Sequence, residues 1–220
     1  MVWIQKKVLK GMKEHSRKIG LPISDVPHGD HITLVYKNDD DALDFVSSFL
    51  RSGFRRNDLC VWITPGMKAK EYTDNIFKEN TIYVNHNSCS ANFNLVLVNP
   101  EILSNVSLFC NSILELIEKK QKYVLKSGFN GLRINVDLIT NQGQMLPFLK
   151  QCRESIISST SAMDLTTLFT CPMDSLSSSE VLELADGREK TILKTNGMWT
   201  DLVDMVSSKC MKQCSLSHTC

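Results

Sequence analysis

The sequence predicts an α/β domain built on a mainly parallel sheet with helices on both faces. Three observations carry that expectation. Apolar runs of strand character alternate with helical patterns along most of the 220 residues, the order expected of strand–helix–strand units. Most strand candidates are short continuous apolar runs rather than alternating ones, as strands covered on both faces are. And PHGDHITLVYKNDDDALDFV, residues 27–46, passes from a polar lead-in through a short strand and a loop into a helix, the outline of a nucleotide-binding start.

Taken in order, residues 2–18 form a candidate amphipathic helix, with Ile4, Val8 and Met12 on one side and Lys6, Lys7, Lys10, Lys13, Arg17 and Lys18 making it basic. One helix cannot bury its own apolar face, so it docks on the core or a second subunit, or acts as a membrane-surface or nucleic-acid arm. LPISDVPHG is a linker. HITLVY (31–36) is the first strand, and a helix over 41–54 follows with Leu43, Val46, Phe49 and Leu50 on one stripe and its acidic residues at the positive end of the helix dipole. LCVWIT (59–64), TIYV (81–84) and FNLVLV (93–98) are further strands. Residues 104–127 make a longer helix whose apolar positions include Leu108, Phe109, Ile113, Leu116 and Ile117. LRINVDL (132–138) is a strand, a helix containing LKQCRES comes next, and LTTLFTC (165–171) is the penultimate strong strand. SSSE at 177–180 has capping-box spacing and announces a helix through Leu184. TILKT (191–195) is a weaker strand, and a final helix is expected past Trp199.

Composition narrows the function. A chain 42% hydrophobic and 22% charged fills one main core with appendages. A net charge of +1 creates no general attraction for nucleic acid or an anionic membrane, so neither is an expected partner. No apolar run spans a bilayer and the N-terminus lacks a signal-peptide pattern, which together predict a cytoplasmic protein with no stable membrane insertion. Eight cysteines, several inside apolar segments (Cys60, Cys110, Cys171), fit buried reduced thiols. In the tail KCMKQCSLSHTC, Cys210, Cys214, His218 and Cys220 have metal-ligand residue types at looser spacing than structural zinc sites use. No metal or cofactor is expected.

Several segments together carry a resemblance. They are His31 opening its strand, G-x3-N-D-x-C-V-W-I from Gly53 to Ile63, VNPEIL, GFNGLR from Gly128 to Arg133, and a C-x-x-D formed by Cys171 and Asp174. Together they resemble the MEDS domain, the sensory domain named for methanogens, methylotrophs and the DcmR regulator, over roughly residues 28–197. The family pattern in the second of these is similar to G-x3-G-E-x-C-x-Y-I. It usually carries a glutamate at the position of Asp137 and a tyrosine–glutamate pair where this chain has LKQCRES. The resemblance implies a KaiC- or RecA-type core without nucleotide machinery, acting as a non-enzymatic sensor of simple one-carbon hydrocarbon derivatives. The residues agree: a phosphate loop needs glycines and a lysine to converge backbone N–H groups and charge on phosphate, and this loop is KNDDDALD.

The expected organisation is an N-terminal helix and linker over 1–27, the sensory domain over 28–197, and a C-terminal helix and tail over 198–220. Ligands of open parallel sheets bind at the carboxyl ends of strands, which selects Tyr36, Asp137 and Cys171 as pocket candidates by position. Asp137 also fits as a cap of the following helix, Tyr36 as packing, and Cys171 as a small buried apolar residue. Arg133, inside a covered strand, needs an internal carboxylate or an anionic ligand. His31 is a core histidine with satisfied ring nitrogens or, as the resemblance implies, a ligand contact; at the amino end of its strand it lies roughly 15 Å or more from Tyr36. His28 sits in the linker. No kinase or helix-turn-helix module is recognisable, which leaves the output to a separate signalling protein, and a homodimer is possible. The other classes that fit are a RecA-like interaction module without a ligand, and residual hydrolase or transferase chemistry, for which no nucleophile and base are evident.

Overall fold

The computed structural model describes residues 26, 29–65, 92–139, 145–161, 163–186 and 190–202. The expected helix over 2–18, His28, the TIYV strand, the part of the expected final helix beyond residue 202 and the cysteine-containing tail lie outside the described residues.

The apolar runs become the strands β1 (His31–Tyr36), β2 (Leu59–Thr64), β3 (Phe93–Leu97), β4 (Leu132–Asp137), β5 (Leu165–Pro172) and β6 (Thr191–Thr195), followed by β7 (Met198–Asp201). Between them stand the helices α1 (Asp39–Arg55), α2 (Val106–Ser127), α3 (Met145–Thr160) and α4 (Ser178–Asp186). All belong to one seven-stranded sheet in the order β3-β2-β4-β5-β1-β6-β7. Every pairing is parallel except β6 with β7.

Side-chain alternation divides the sheet between two cores. Ile32, Leu34, Cys60, Trp62, Leu168 and Ile192 pack with Phe45, Val46, Phe49 and Leu50 of α1. Val35, Val61, Ile63, Ile134, Val136, Phe169 and Cys171 pack on the opposite face against Phe109, Ile113 and Ile117 of α2 and Phe148, Leu149 and Cys152 of α3. The β1–α1–β2 connection runs toward the β3 edge on one face. Those through α2, α3 and α4 run the other way on the other face, as crossovers of a single hand require.

Local chemistry fixes the ends. Asn38 caps α1 by accepting from the Asp41 backbone N–H at 2.8 Å, and Ser177 and Glu180 exchange the reciprocal bonds of the expected capping box ahead of α4. Among the described strands the one antiparallel pairing, β6 with β7, is turned at Asn196–Gly197, where both residues are left-handed (φ 51° and 77°). That pair makes the tight turn of a two-residue hairpin. Trp199, expected to precede a helix, is therefore in a strand, and the hairpin straddles the expected domain end at 197.

Candidate functional site

The helix face of β4 that meets α1 is polar along its whole length: Arg133, Asn135 and Asp137 alternate with the apolar Leu132, Ile134 and Val136 on the other face. These three polar residues do two different jobs.

Arg133 is fully buried near the amino end of the sheet. Its Nε donates to Asp58 Oδ2 at 3.1 Å, and its guanidinium lies 4.8 Å from the centre of the Phe49 ring, an arrangement in which the ring face favours the cation. Its two terminal nitrogens make no hydrogen bond among the described residues. Gly53 lets α1 approach this group: a Cβ there would fall 2.5 Å from Cys60 Sγ and 2.7 Å from Arg133 Cδ. Burial pushes the Cys60 thiol well above its ordinary range. Asn57, where the family pattern has glycine, adopts φ 60°, a left-handed conformation that asparagine tolerates better than most residues. The motif from Gly53 to Cys60 and Arg133 is thus a single internal cluster. Arg133 has the internal carboxylate that was one of its two expected partners.

Asp137 ends the same strand at the carboxyl edge. Trp62 Nε1 donates to its Oδ2 at 2.7 Å, while Asn135 Nδ2 and Thr170 Oγ1 donate to Oδ1 at 2.6 and 2.5 Å. Thr64 adds a further side-chain bond. Register explains the convergence, since Asp137 pairs with Thr170 on β5 and Asn135 with Trp62 on β2. Four neutral donors surround the carboxyl and no cation pairs with it among the described residues. Burial raises its pKa above the ordinary carboxylate range, against the opposing pull of those donors. The Asn135 side-chain oxygen accepts no hydrogen bond among the described residues.

Tyr36 reaches the same edge from β1, with β5 between. Its phenol is held protonated first by burial, then by the charges of Asp137 and Asp39. Tyr36 and Asp137 both end their strands at this edge, with β5 between them. Arg133 does not join them, because it is enclosed under α1 four residues earlier on the strand. Cys171 does not either: by alternation its side chain points to the α2–α3 face, in the core with Val35 and Phe169, where burial pushes the thiol up to about 12. His31 stands at the amino end of β1, sharing a 2.7 Å hydrogen bond between Nδ1 and Thr167 Oγ1. Five strand steps at about 3.3 Å each separate it from Tyr36 by roughly 16 Å.

The polar partners Trp62, Asn135 and Thr170 were not among the residues singled out from sequence. The available signal was the alternation in LRINVD, whose polar positions mark one face. Arg153 of α3, inside the LKQCRES segment, was also missed; it is buried and donates to Thr33 Oγ1 at 2.6 Å. Among the described residues no group of three His, Cys, Asp or Glu side chains is placed to hold a metal, and no helix is long and apolar enough to cross a membrane.

The family that this architecture and these motifs define is a sensory one. The family model described as "MEthanogen/methylotroph, DcmR Sensory domain" matches residues 30–186, and the chain belongs to the MEDS family. Among solved structures the chain is similar to a KaiC-like protein from the hyperthermophilic archaeon Pyrococcus horikoshii, at 16% identity and a TM-score of 0.44 over 76% of this chain and 71% of that one. It is also similar to the flagellar accessory protein FlaH of Methanocaldococcus jannaschii, at 16% identity and a TM-score of 0.43 over 80% and 77% of the two chains. No curated protein matches the chain at a significant level.

Proposed function

We propose that this chain is a non-enzymatic sensor that binds a small organic molecule at the carboxyl edge of its sheet and reports occupancy to a separate signalling protein. One observation carries the placement of the site. At the edge where open parallel sheets take their ligands, three strands build a half-buried carboxyl, Asp137, which only neutral donors meet among the described residues, and Tyr36 ends β1 at the same edge. Membership of a sensory family supports the role, and the one-carbon hydrocarbon derivatives that the resemblance implies are small enough for such a place.

The β1–α1 turn supports a reading without nucleotide chemistry. Asp39, Asp40 and Asp41 occupy the first turn of α1, Asn38 caps it, and Asp41 is ion-paired with Lys194 of β6. The positive end of the helix is answered by the protein's own carboxylates, which repel a triphosphate.

Two measurements test this. Isothermal titration with ATP and magnesium at millimolar concentration is expected to give no one-site isotherm; a clear one would overturn the non-nucleotide reading. For the ligand, the indole N–H of Trp62 is a local reporter, one of three tryptophans in the chain. A library of small cationic, neutral and anionic organic compounds is screened against 15N-labelled protein, and at least one compound is expected to move the Trp62 indole resonance saturably. A library that leaves that resonance fixed would remove the carboxyl edge as the sensing site.

A further inference from the structure

We infer that the ligand taken at the carboxyl edge is a small organic ammonium ion, in preference to a neutral or anionic molecule of the same size. The inference rests on the proposed sensing site and adds the charge of its occupant.

The hydrogen-bonding inventory of the cluster sets that preference. Its donors already have an acceptor: the Trp62 indole, the Asn135 amide and the Thr170 hydroxyl all point at the Asp137 carboxyl. Among the side chains bonded to Asp137, what remains without a partner is an acceptor, while the Tyr36 hydroxyl can donate or accept. The Asn135 oxygen, on a side chain that is fully buried, accepts nothing among the described residues, and the bond from its own nitrogen to Asp137 holds that amide against the carboxyl. A ligand that satisfies this oxygen must bring an N–H or O–H.

Charge narrows the choice between those two. Asp137 has no cationic partner among the described residues, unlike Asp58, which has Arg133, and Asp41, which has Lys194. Asp39, in the first turn of α1 just beyond Tyr36, adds a further carboxylate at the end of β1. Lys37, the cation nearest in sequence, is exposed. A partly desolvated negative group is stabilised by a cation far more than by a neutral dipole, and an anion there is repelled. Tyr36 adds a ring, whose face attracts an alkylated ammonium through its quadrupole.

The test uses the full chain and three probes of similar size: trimethylammonium, its near-isostere tert-butanol, and acetate. Trp62 indole shifts are followed in titrations of the wild type, Tyr36→Phe and Asp137→Asn. Trimethylammonium is expected to bind at least about 10-fold more tightly than tert-butanol, which a cation adjacent to a desolvated carboxylate supplies readily, and acetate is expected not to bind. Asp137→Asn should abolish the preference for the cation, and Tyr36→Phe should leave it intact. Equal binding of trimethylammonium and tert-butanol, or tighter binding of acetate, overturns the assignment of charge while leaving a sensing site at this edge. A Trp62 response that is cation-selective but identical in Asp137→Asn overturns it as well. Should Asp137→Asn fail to fold, the wild-type order of the three probes decides the matter alone.

Discussion

Asp58, buried, and Asp137, half-buried, are two carboxylates on the same side of one sheet, and the chain treats them differently. Asp58, at the amino end, faces the guanidinium of Arg133, with Phe49 and the bare backbone of Gly53 closing the space. Asp137, four residues beyond Arg133 on the same strand, is met only by neutral donors. A buried ion pair compensates its charges within the fold, even though the two terminal nitrogens of Arg133 make no hydrogen bond among the described residues. A partly buried carboxyl held only by dipoles keeps its charge uncompensated, and charges in that condition gather at functional sites. The contrast separates the part of the motif that builds the domain from the part proposed to face a ligand.

The largest expected effect breaks the first member of the comparison. Asp58→Ala leaves Arg133 buried without its counter-charge, and removal of one partner of a buried pair costs roughly 3–5 kcal/mol. Urea denaturation is expected to show a loss of that size, and Gly53→Ala should add a smaller one of about 1–3 kcal/mol because its Cβ collides with Cys60 and Arg133. A loss under about 1 kcal/mol for Asp58→Ala would mean that the pair is not a structural element and that the comparison is drawn in the wrong place.

The second test concerns pH. The folded-state pKa of Asp137 is raised by burial, so the folded protein holds this proton more tightly than the unfolded chain does. The corresponding stability is fully present below the ordinary carboxylate pKa of about 4 and is lost as pH rises through the folded value. Asp137→Asn has no such proton to lose. Plotted against pH, the stability of the wild type relative to Asp137→Asn is expected to fall from about pH 4 upward and then level off. Two parallel curves would show that the four donors balance desolvation, so that burial leaves Asp137 no net preference for its proton.

Much of the architecture was legible because continuous apolar runs leave few alternatives: β1, β2 and β6 have the ends that their sequences announce, and the sheet is parallel with helices on both faces. What was less legible depended on pairing. Nothing local to Thr170 or Trp62 says that they will face Asp137; that follows from the β2-β4-β5 order and register. The same strand order separates Cys171 from Asp137, since adjacent positions on β5 point to opposite faces. β7 was not expected although Asn196–Gly197 is a strong hairpin signal, because the chain beyond Trp199 carries a helical pattern. The arginines show the remaining difficulty: Arg133 stood out inside an apolar run, whereas Arg153 sits in a helix where a charged residue ordinarily faces water.

The smallest effects on stability give the sharpest test of where a ligand sits. His31 and Tyr36 end the same strand, so substitutions there differ in position more than in kind. His31→Ala removes the bond to Thr167 and is expected to cost about 1 kcal/mol. It should leave the Trp62 response to any bound compound unchanged, because its ring lies roughly 16 Å away along the strand. Tyr36→Phe removes a hydroxyl that makes no hydrogen bond among the described residues and should alter stability by no more than about 0.5 kcal/mol. It should nonetheless weaken binding of hydroxylic or ammonium compounds by a few-fold, through the loss of one polar contact at the site. Denaturation and Trp62 titration on both variants therefore give opposite orderings: His31→Ala larger in stability, Tyr36→Phe larger in binding. If His31→Ala proves to be the variant that abolishes binding in a normally folded protein, the carboxyl-edge assignment fails, and the contact moves to the amino end of β1 beside Thr167.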